Sequence, residues 1–85
     1  MLSQAEIRRY KIELSLAKTR LAQAEQDKVQ FWKIFPFHLA NLKLDHVSGE
    51  EYDRRFQKLV NKEREIEEEI ISNMEQIEQL EGMLE

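Results

Sequence analysis

The sequence predicts an all-α fold: an antiparallel, coiled-coil-like helical hairpin with a short apolar connecting helix, completed as a homo-oligomeric helical bundle. Apolar residues recur at alternating spacings of three and four along two long stretches, which is the pattern of a helix with one buried seam. Each stretch opens with a helix start signal. Two glycines and one proline in 85 residues leave few places for the chain to turn. We therefore treat residues 1–85 as one helical-hairpin domain.

The first helix is predicted over residues 3–35. Ser3 can cap its start, and Glu6, three residues later, can complete a capping box. Pro36 lacks an amide hydrogen and disfavours helix at the residue before it, so the helix is expected to end at Phe35. The apolar seam of this helix comprises Ile7, Tyr10, Leu14, Ala17, Leu21, Ala24, Lys28, Phe31 and Phe35.

Residues 36–48 are predicted to form the connection, a short buried helix, with a kinked continuation of the first helix as the alternative. The second helix is predicted over residues 49–84, with Ser48 as its cap and Glu51 completing a second capping box. Its seam comprises Tyr52, Phe56, Leu59, Glu63, Ile66, Ile70, Asn73, Ile77, Leu80 and Leu84. Val60, Ile71 and Met74 widen that stripe beyond what one partner helix covers.

A chain of this length has a marginal core, and without cysteine it has neither a disulfide nor a thiolate metal site to stabilise it. Burial against another chain is the remaining source of stability. We therefore expect a homo-oligomer, first of all a dimer that forms a four-helix bundle. The seam residues expected to hold it together are Ile7, Leu14, Leu21, Phe31, Phe56, Ile66, Ile70 and Ile77.

Charge divides the chain into two unlike halves. Residues 1–44 carry eight Lys and Arg against four acids, a net +4, and residues 45–85 carry five against thirteen, a net −8. An antiparallel hairpin brings the basic half beside the acidic half, so the two faces complement each other. No apolar run approaches the roughly 20 residues of a membrane span, and the first residues lack the pattern of a signal peptide. The expected location is the cytoplasm, with no membrane partner.

Two sets of apolar residues exceed the seam and are candidates for docking another protein. Ile12 and Leu16 lie on the back of the first helix, although scattered exposed apolar residues are also common on monomers. The aromatic segment 31–37 includes Trp32, Phe35 and Phe37, which serve either as a core plug at the hairpin apex or as an interface anchor. The sequence thus favours a non-enzymatic protein-interaction module, such as an adaptor, a small regulator or inhibitor, or an assembly subunit.

Other classes of function have less support in the sequence. The chain has no cysteine nucleophile and no glycine-rich phosphate loop, and neither histidine follows a glutamate at the spacing of a helical metal site, so no enzyme, metal or cofactor is predicted. Arg8, Arg9 and Lys11 form a basic stretch that makes a nucleic-acid-associated bundle the first alternative. An oligomer that binds a small ligand between subunits is the second.

Overall fold

The computed structural model describes all 85 residues and consists of two helices, α1 (Gln4–Leu44) and α2 (Gly49–Leu84). Residues 45–48 reverse the chain, so the helices run antiparallel side by side in a rod with extents of 63 × 20 × 15 Å. The predicted all-α helical hairpin is confirmed. Because α1 has 41 residues and α2 has 36, the start of α1 projects beyond the end of α2 by about 8 Å at the usual helical rise.

The predicted end of the first helix at residue 35 is wrong, because α1 continues through Pro36 to Leu44. Proline in a helix interior removes one backbone hydrogen bond and crowds the preceding turn, which costs about 3 kcal/mol. Past the proline, Leu42 continues the seam seven residues after Phe35 and is buried, and Leu39 is half-buried beside it. Packing against α2 therefore offsets the local penalty. The separate buried helix expected over 36–48 is wrong: residues 36–44 continue α1, which was the alternative, and Leu42 alone among them is buried.

The interior of the hairpin is thin. Only six residues are buried, and no large side chain is fully shielded from solvent. The six buried residues are Ala17, Ala24, Leu42, Ile66, Asn73 and Leu80. All of them except Leu42 lie on the two predicted seams, and most other seam residues are half-buried. The small side chains of Ala17 and Ala24 sit at the middle of α1, where they let the two helices approach closely.

The start of α1 has the predicted capping box, and the start of α2 has only part of it. The Ser3 hydroxyl accepts a hydrogen bond from the Glu6 amide (3.1 Å), and the Glu6 carboxylate accepts one from the Ser3 amide (3.5 Å), so the first capping box is confirmed. The Ser48 hydroxyl accepts from the Glu51 amide (3.2 Å). The Glu51 carboxylate, however, binds Arg54 and Arg55 instead of the Ser48 amide, so the second box is only half formed.

The turn contains one residue in the left-handed backbone region, His46, with φ of +50°. A side chain at that position is strained, and glycine is the usual residue where a helix ends in this way. We expect His46→Gly to raise the free energy of unfolding by about 0.5–1 kcal/mol. Urea denaturation of the variant beside His46→Ala, which keeps the strain, measures this. Equal stability of the two variants would contradict the explanation.

The turn is also tied to α2 by a charged cluster. The Arg55 guanidinium donates to Glu51 (2.8 Å) and to Asp45 (2.9 Å), which joins the residue after α1 to the first turns of α2. The hydrogen bond from Arg55 lowers the pKa of the Glu51 carboxyl below its ordinary value, and the positive charges of Arg54 and Arg55 act in the same direction. The ionised form of Glu51 is therefore the one that the folded turn prefers.

This shift fixes the sign of a pH dependence. A carboxyl whose pKa is lower in the folded state stabilises that state above its unfolded pKa of about 4.3, and loses that contribution as the pH falls through the folded pKa. The wild type should therefore exceed Glu51→Gln in thermal stability at pH 7, and the gap should close below about pH 4. Melting curves followed by circular dichroism between pH 3 and pH 7 test this. A gap that widens on acidification would contradict it.

Candidate docking surface

Three aromatic rings form a cluster on the last third of α1. The ring centroids of Trp32 and Phe35 are 5.3 Å apart, and Phe31 lies 5.2 Å from Trp32 and 5.7 Å from Phe35. Phe31 and Phe35 are half-buried on the seam, whereas Trp32 is exposed. Phe35 therefore belongs to the contact between the helices, and Trp32 is the ring of this cluster that a partner can reach.

One of the two roles expected for the aromatic segment was a core plug at the apex of the hairpin. The segment does not lie at the apex. Because α1 continues to Leu44, Phe35 lies nine residues, about 14 Å, from the end of the helix. Phe37 is 69% exposed and does not belong to the cluster, since two residues along a helix turn the side chain by about 200°. The structure thus brings Trp32 and Phe35 together and directs Phe37 to a different surface.

The second candidate stripe, Ile12 and Leu16, lies near the free end of α1. Both side chains are exposed, 62% and 49% respectively. They share the side of α1 that faces away from the seam, four residues apart. The predicted seam residues occupy the contact between α1 and α2, where Ile66 is buried, Phe56 is partly exposed and the others are half-buried.

A larger apolar surface runs along one flank of the hairpin. With Leu14 and Leu21 at heptad position a and Ala17 and Ala24 at position d, the same numbering puts the seam of α2 at a and d as well. Positions b and e then form one flank of both helices, which we call the b/e face. Its exposed apolar members are Ala22, Val29, Trp32, Val60, Ile71 and Met74, and Leu39, at position e, is half-buried. The five largest of them are 40–56% exposed.

A groove of about 540 Å³ lies on the b/e face towards the open end of the hairpin, with Glu75, Glu78 and Glu81 along its rim. Ile71 and Met74 line it beside the seam residues Leu21 and Ile77. The widened stripe on α2 was visible in the sequence, but its continuation on α1 was not identified. The signal that could have found it is the shared heptad phase, which aligns Val29 and Trp32 with that stripe once the helices pair antiparallel.

The opposite flank, formed by positions c and g, is polar over its middle. Arg20, Glu65, Glu69 and Gln76 line a groove without any apolar residue. A smaller groove of about 370 Å³ nearer the turn mixes apolar side chains with Asp27 and Lys62. The two flanks of the rod therefore differ over their middle, where the b/e face carries an apolar band that Glu25, Arg64 and Glu67 interrupt. The exposed large apolar residues of the other flank lie nearer its ends; they are Leu16, Ile34, Phe37, Leu44 and Met83.

Two ion pairs cross between the helices along the b/e face. The Lys28 ammonium lies 2.6 Å from the Glu67 carboxylate, and Lys18 lies 4.0 Å from Glu81. The hydrogen bond to Glu67 raises the pKa of Lys28, the one lysine on the seam. Lys28 reaches out of the seam to this half-buried partner and its own side chain stays exposed, so a charge at an inward position remains solvated.

The basic stretch of the nucleic-acid alternative lies at the projecting end of α1. Arg9 faces Glu13 at 3.8 Å, and its guanidinium lies 5.0 Å over the ring of Tyr10. Arg8 and Lys11 are exposed. Arg8 and Lys11, three positions apart, share the b/e face, whereas Arg9 is turned by about 100° from Arg8 towards the other flank, so the three do not form one narrow stripe. No group of three or more His, Asp or Glu side chains converges in a way that could hold a metal ion.

These features define the class of the molecule: a two-helix antiparallel coiled coil whose b/e face is apolar over its middle, where the opposite flank is polar. No protein-family model, no curated protein and no solved structure matches the chain significantly. Neither helix contains an apolar stretch long enough to cross a membrane.

Proposed function

We propose that this chain is a non-enzymatic protein-interaction module that works in the cytoplasm and binds through helix-to-helix contacts on its b/e face. The observation that carries the proposal is the distribution of apolar surface. No large apolar side chain is fully buried in the hairpin, while Val29, Trp32, Val60, Ile71 and Met74 are exposed together over the middle of one flank, where the opposite flank is polar. Exposed apolar patches of this extent on soluble proteins mark interaction sites.

The total surface area supports the same proposal. The chain exposes 6760 Å², whereas a compact monomer of this mass exposes about 5,400 Å². The excess is of the order that one partner buries in a specific protein interface, about 800 Å² or more. A second layer of helices on the b/e face would bring the surface to the usual value and complete the thin core.

The chemistry of the side chains also favours binding over catalysis. The chain has no cysteine, and the hydroxyls of Ser3 and Ser48 already accept hydrogen bonds from backbone amides at the helix starts. Trp32 and Met74 are instead residues that interfaces favour, because aromatic and thioether groups give large contact areas and adapt to a partner. An adaptor, a small regulator or inhibitor, or a subunit of a larger assembly fits this description.

Sedimentation velocity over micromolar to submillimolar protein tests the proposal. The wild type is expected to associate, and Ile71→Glu/Met74→Glu is expected to reduce the association at least tenfold, since two charges would be buried in an apolar contact. The matched control is Ile12→Glu/Leu16→Glu, on the other side of α1, which should associate like the wild type. Association lost only in the control variant, or a stable wild-type monomer at every concentration, would contradict the proposal.

The nucleic-acid alternative predicts a different outcome of the same experiment. Association through Arg8, Arg9 and Lys11 would carry absorbance at 260 nm with the protein boundary and would weaken steeply with added salt. Binding through the b/e face is expected to show a clean protein spectrum and, because its central band is apolar, a much smaller salt dependence.

A further inference from the structure

We infer that the occupant of the b/e face is a second copy of this chain, laid on it in parallel, with both turns at the same end of a four-helix bundle. Each α1 then packs against the α2 of the other copy. This inference rests on the proposed function and deepens it, because it names the partner and its orientation. The charges at the two ends of the b/e face favour this orientation of the second copy, and the apolar band between them supplies the contact.

Two symmetric arrangements bring one b/e face onto another. A two-fold axis along the rod leaves the copies parallel and places each α1 over the partner's α2. A two-fold axis across the rod makes the copies antiparallel and places like helices over each other. The two arrangements differ in which charges meet, so the sequence of charges along the face distinguishes them.

At the open end of the hairpin, opposite the turn, the two edges of the b/e face carry opposite charges. On α1 these positions hold Arg8, Lys11 and Lys18. On α2 they hold Glu78 and Glu81, followed by Glu85. In the parallel arrangement the basic edge of each copy meets the acidic edge of the other. The Lys18–Glu81 pair within one chain, at 4.0 Å, shows that these two edges lie at the same level along the rod.

The turn end repeats this complementarity with fewer charges. Lys43 lies on the b/e face of α1, and Glu50 and Asp53 lie on that of α2. In the antiparallel arrangement, Glu50 and Asp53 would meet the acidic open end of the partner's α2, and Lys43 would meet its basic open end. Like charges would then face each other at both ends of the bundle, which disfavours that orientation.

The centre of the face supplies apolar contact at matching levels. Ala22 and Val29 on α1 lie at the height of the groove that Ile71 and Met74 line, and Trp32 lies nearer the turn, towards the height of Val60. In the parallel arrangement these residues of α1 cover those of the partner's α2. The face is 63 Å long and the rod 20 Å wide, which accommodates the roughly 800 Å² per partner of a stable interface.

Net charge gives the same answer for whole helices. The half of the chain that contains α1 has a net charge of +4, and the half that contains α2 has −8. In the parallel dimer, positive and negative helices alternate around the bundle. In the antiparallel dimer, the two most acidic helices would lie side by side, which like-charge repulsion opposes.

Charge reversal at the open end tests the orientation. In Glu78→Lys/Glu81→Lys, the parallel dimer would place lysines against the partner's Lys11 and Lys18, so self-association should weaken about tenfold or more. In the antiparallel dimer the same lysines would face Glu50 and Asp53, and association would strengthen. Lys11→Glu/Lys18→Glu should also associate weakly with itself. An equimolar mixture of the two variants should restore a dimer of wild-type affinity, because both intermolecular contacts are again between opposite charges.

Electron–electron distance measurements give an independent readout that does not alter the b/e face. The chain has no cysteine, so Asn41→Cys near the turn and Gln79→Cys near the open end each allow a single nitroxide label on the other flank. Parallel copies should give distances below about 35 Å at both positions, since packed helices lie 8–10 Å apart. Antiparallel copies should give distances above about 40 Å at both, because the labels then sit at opposite ends of the rod.

The outcomes test separately the parallel orientation of the second copy and the use of the b/e face as a docking surface. Long distances, or a Glu78→Lys/Glu81→Lys variant that associates more tightly than the wild type, would overturn the parallel orientation and leave the b/e face as the docking surface. Labelled Asn41→Cys and Gln79→Cys variants without any intermolecular distance, together with a wild type of monomer mass at submillimolar concentration, would overturn both the inference and the proposed function.

Discussion

Replacing Ile66 with alanine is expected to lower the free energy of unfolding by about 2–3 kcal/mol, because it removes three buried carbons and the seam cannot close over the cavity. Ile66 is one of only six buried residues and lies on the seam beside Phe31 and Leu59. For a small chain this is a large share of the total stability. Urea denaturation followed by circular dichroism measures it, at a single low protein concentration.

The matched control is Ile12→Ala, an isoleucine on α1 that is 62% exposed. It removes the same atoms from a position that faces solvent, and alanine is the better helix former there. Its stability should lie within about 0.5 kcal/mol of the wild type. Equal losses in the two variants would show that the seam is not what holds the hairpin together.

Enlarging Ala17 to leucine is expected to have the second largest effect, a loss of about 1–3 kcal/mol. Ala17 is fully buried, with 0% exposure, in the contact between α1 and α2. Three further carbons at this position have no free volume to enter, so they push the helices apart or force strained rotamers. A lower urea midpoint with an unchanged m-value would match simple overpacking.

Ala40→Leu is the control for this substitution. Ala40 is exposed on the same helix, at a position that faces away from both the seam and the b/e face. Leucine there keeps a high helix propensity and meets no neighbour, so the change in stability should stay within about 0.5 kcal/mol. A gain in stability from Ala17→Leu would contradict the close approach of the helices at that point.

The hairpin itself could be predicted because its determinants are local in sequence. The spacing of three and four marks both seams, and five of the six buried residues lie on them. Ser3 with Glu6 marks the start of α1, and Ser48 marks the start of α2. Such signals depend on residues within one or two turns of each other, which a sequence displays directly.

The end of α1 could not be predicted in the same way. Local rules place a helix end before Pro36, but the outcome depends on how much packing lies beyond it, and Leu42 is buried only because α2 returns alongside. The Asp45–Arg55 contact depends likewise on the return of the chain, whereas Glu51 pairs with Arg54 and Arg55 within one turn of α2. Asp45 and Arg55 are ten residues apart and meet only across the turn.

Candidate docking residues could be named from the sequence, but the b/e face that the paired helices form could not. Trp32 is exposed, as a docking residue must be, but Phe35 is half-buried beside it and Phe37 faces elsewhere. The b/e face joins Val29 and Trp32 to residues about 40 positions later in the chain. A surface shared by two helices can be recognised only once their antiparallel pairing is known, because hydrophobic periodicity describes the faces of one helix at a time.

The turn at residues 45–48 also determines how the molecule responds to mechanical load. Because both helices run from that turn, Met1 and Glu85 lie at the same end of the rod. A pulling force applied between the two termini acts first on the contacts between α1 and α2 nearest the open end. Each following contact between the helices bears load only after the one before it has separated. The hairpin would therefore open as a zipper at low force, starting beside Leu84 and Leu80, with the Asp45–Arg55 contact the last to break.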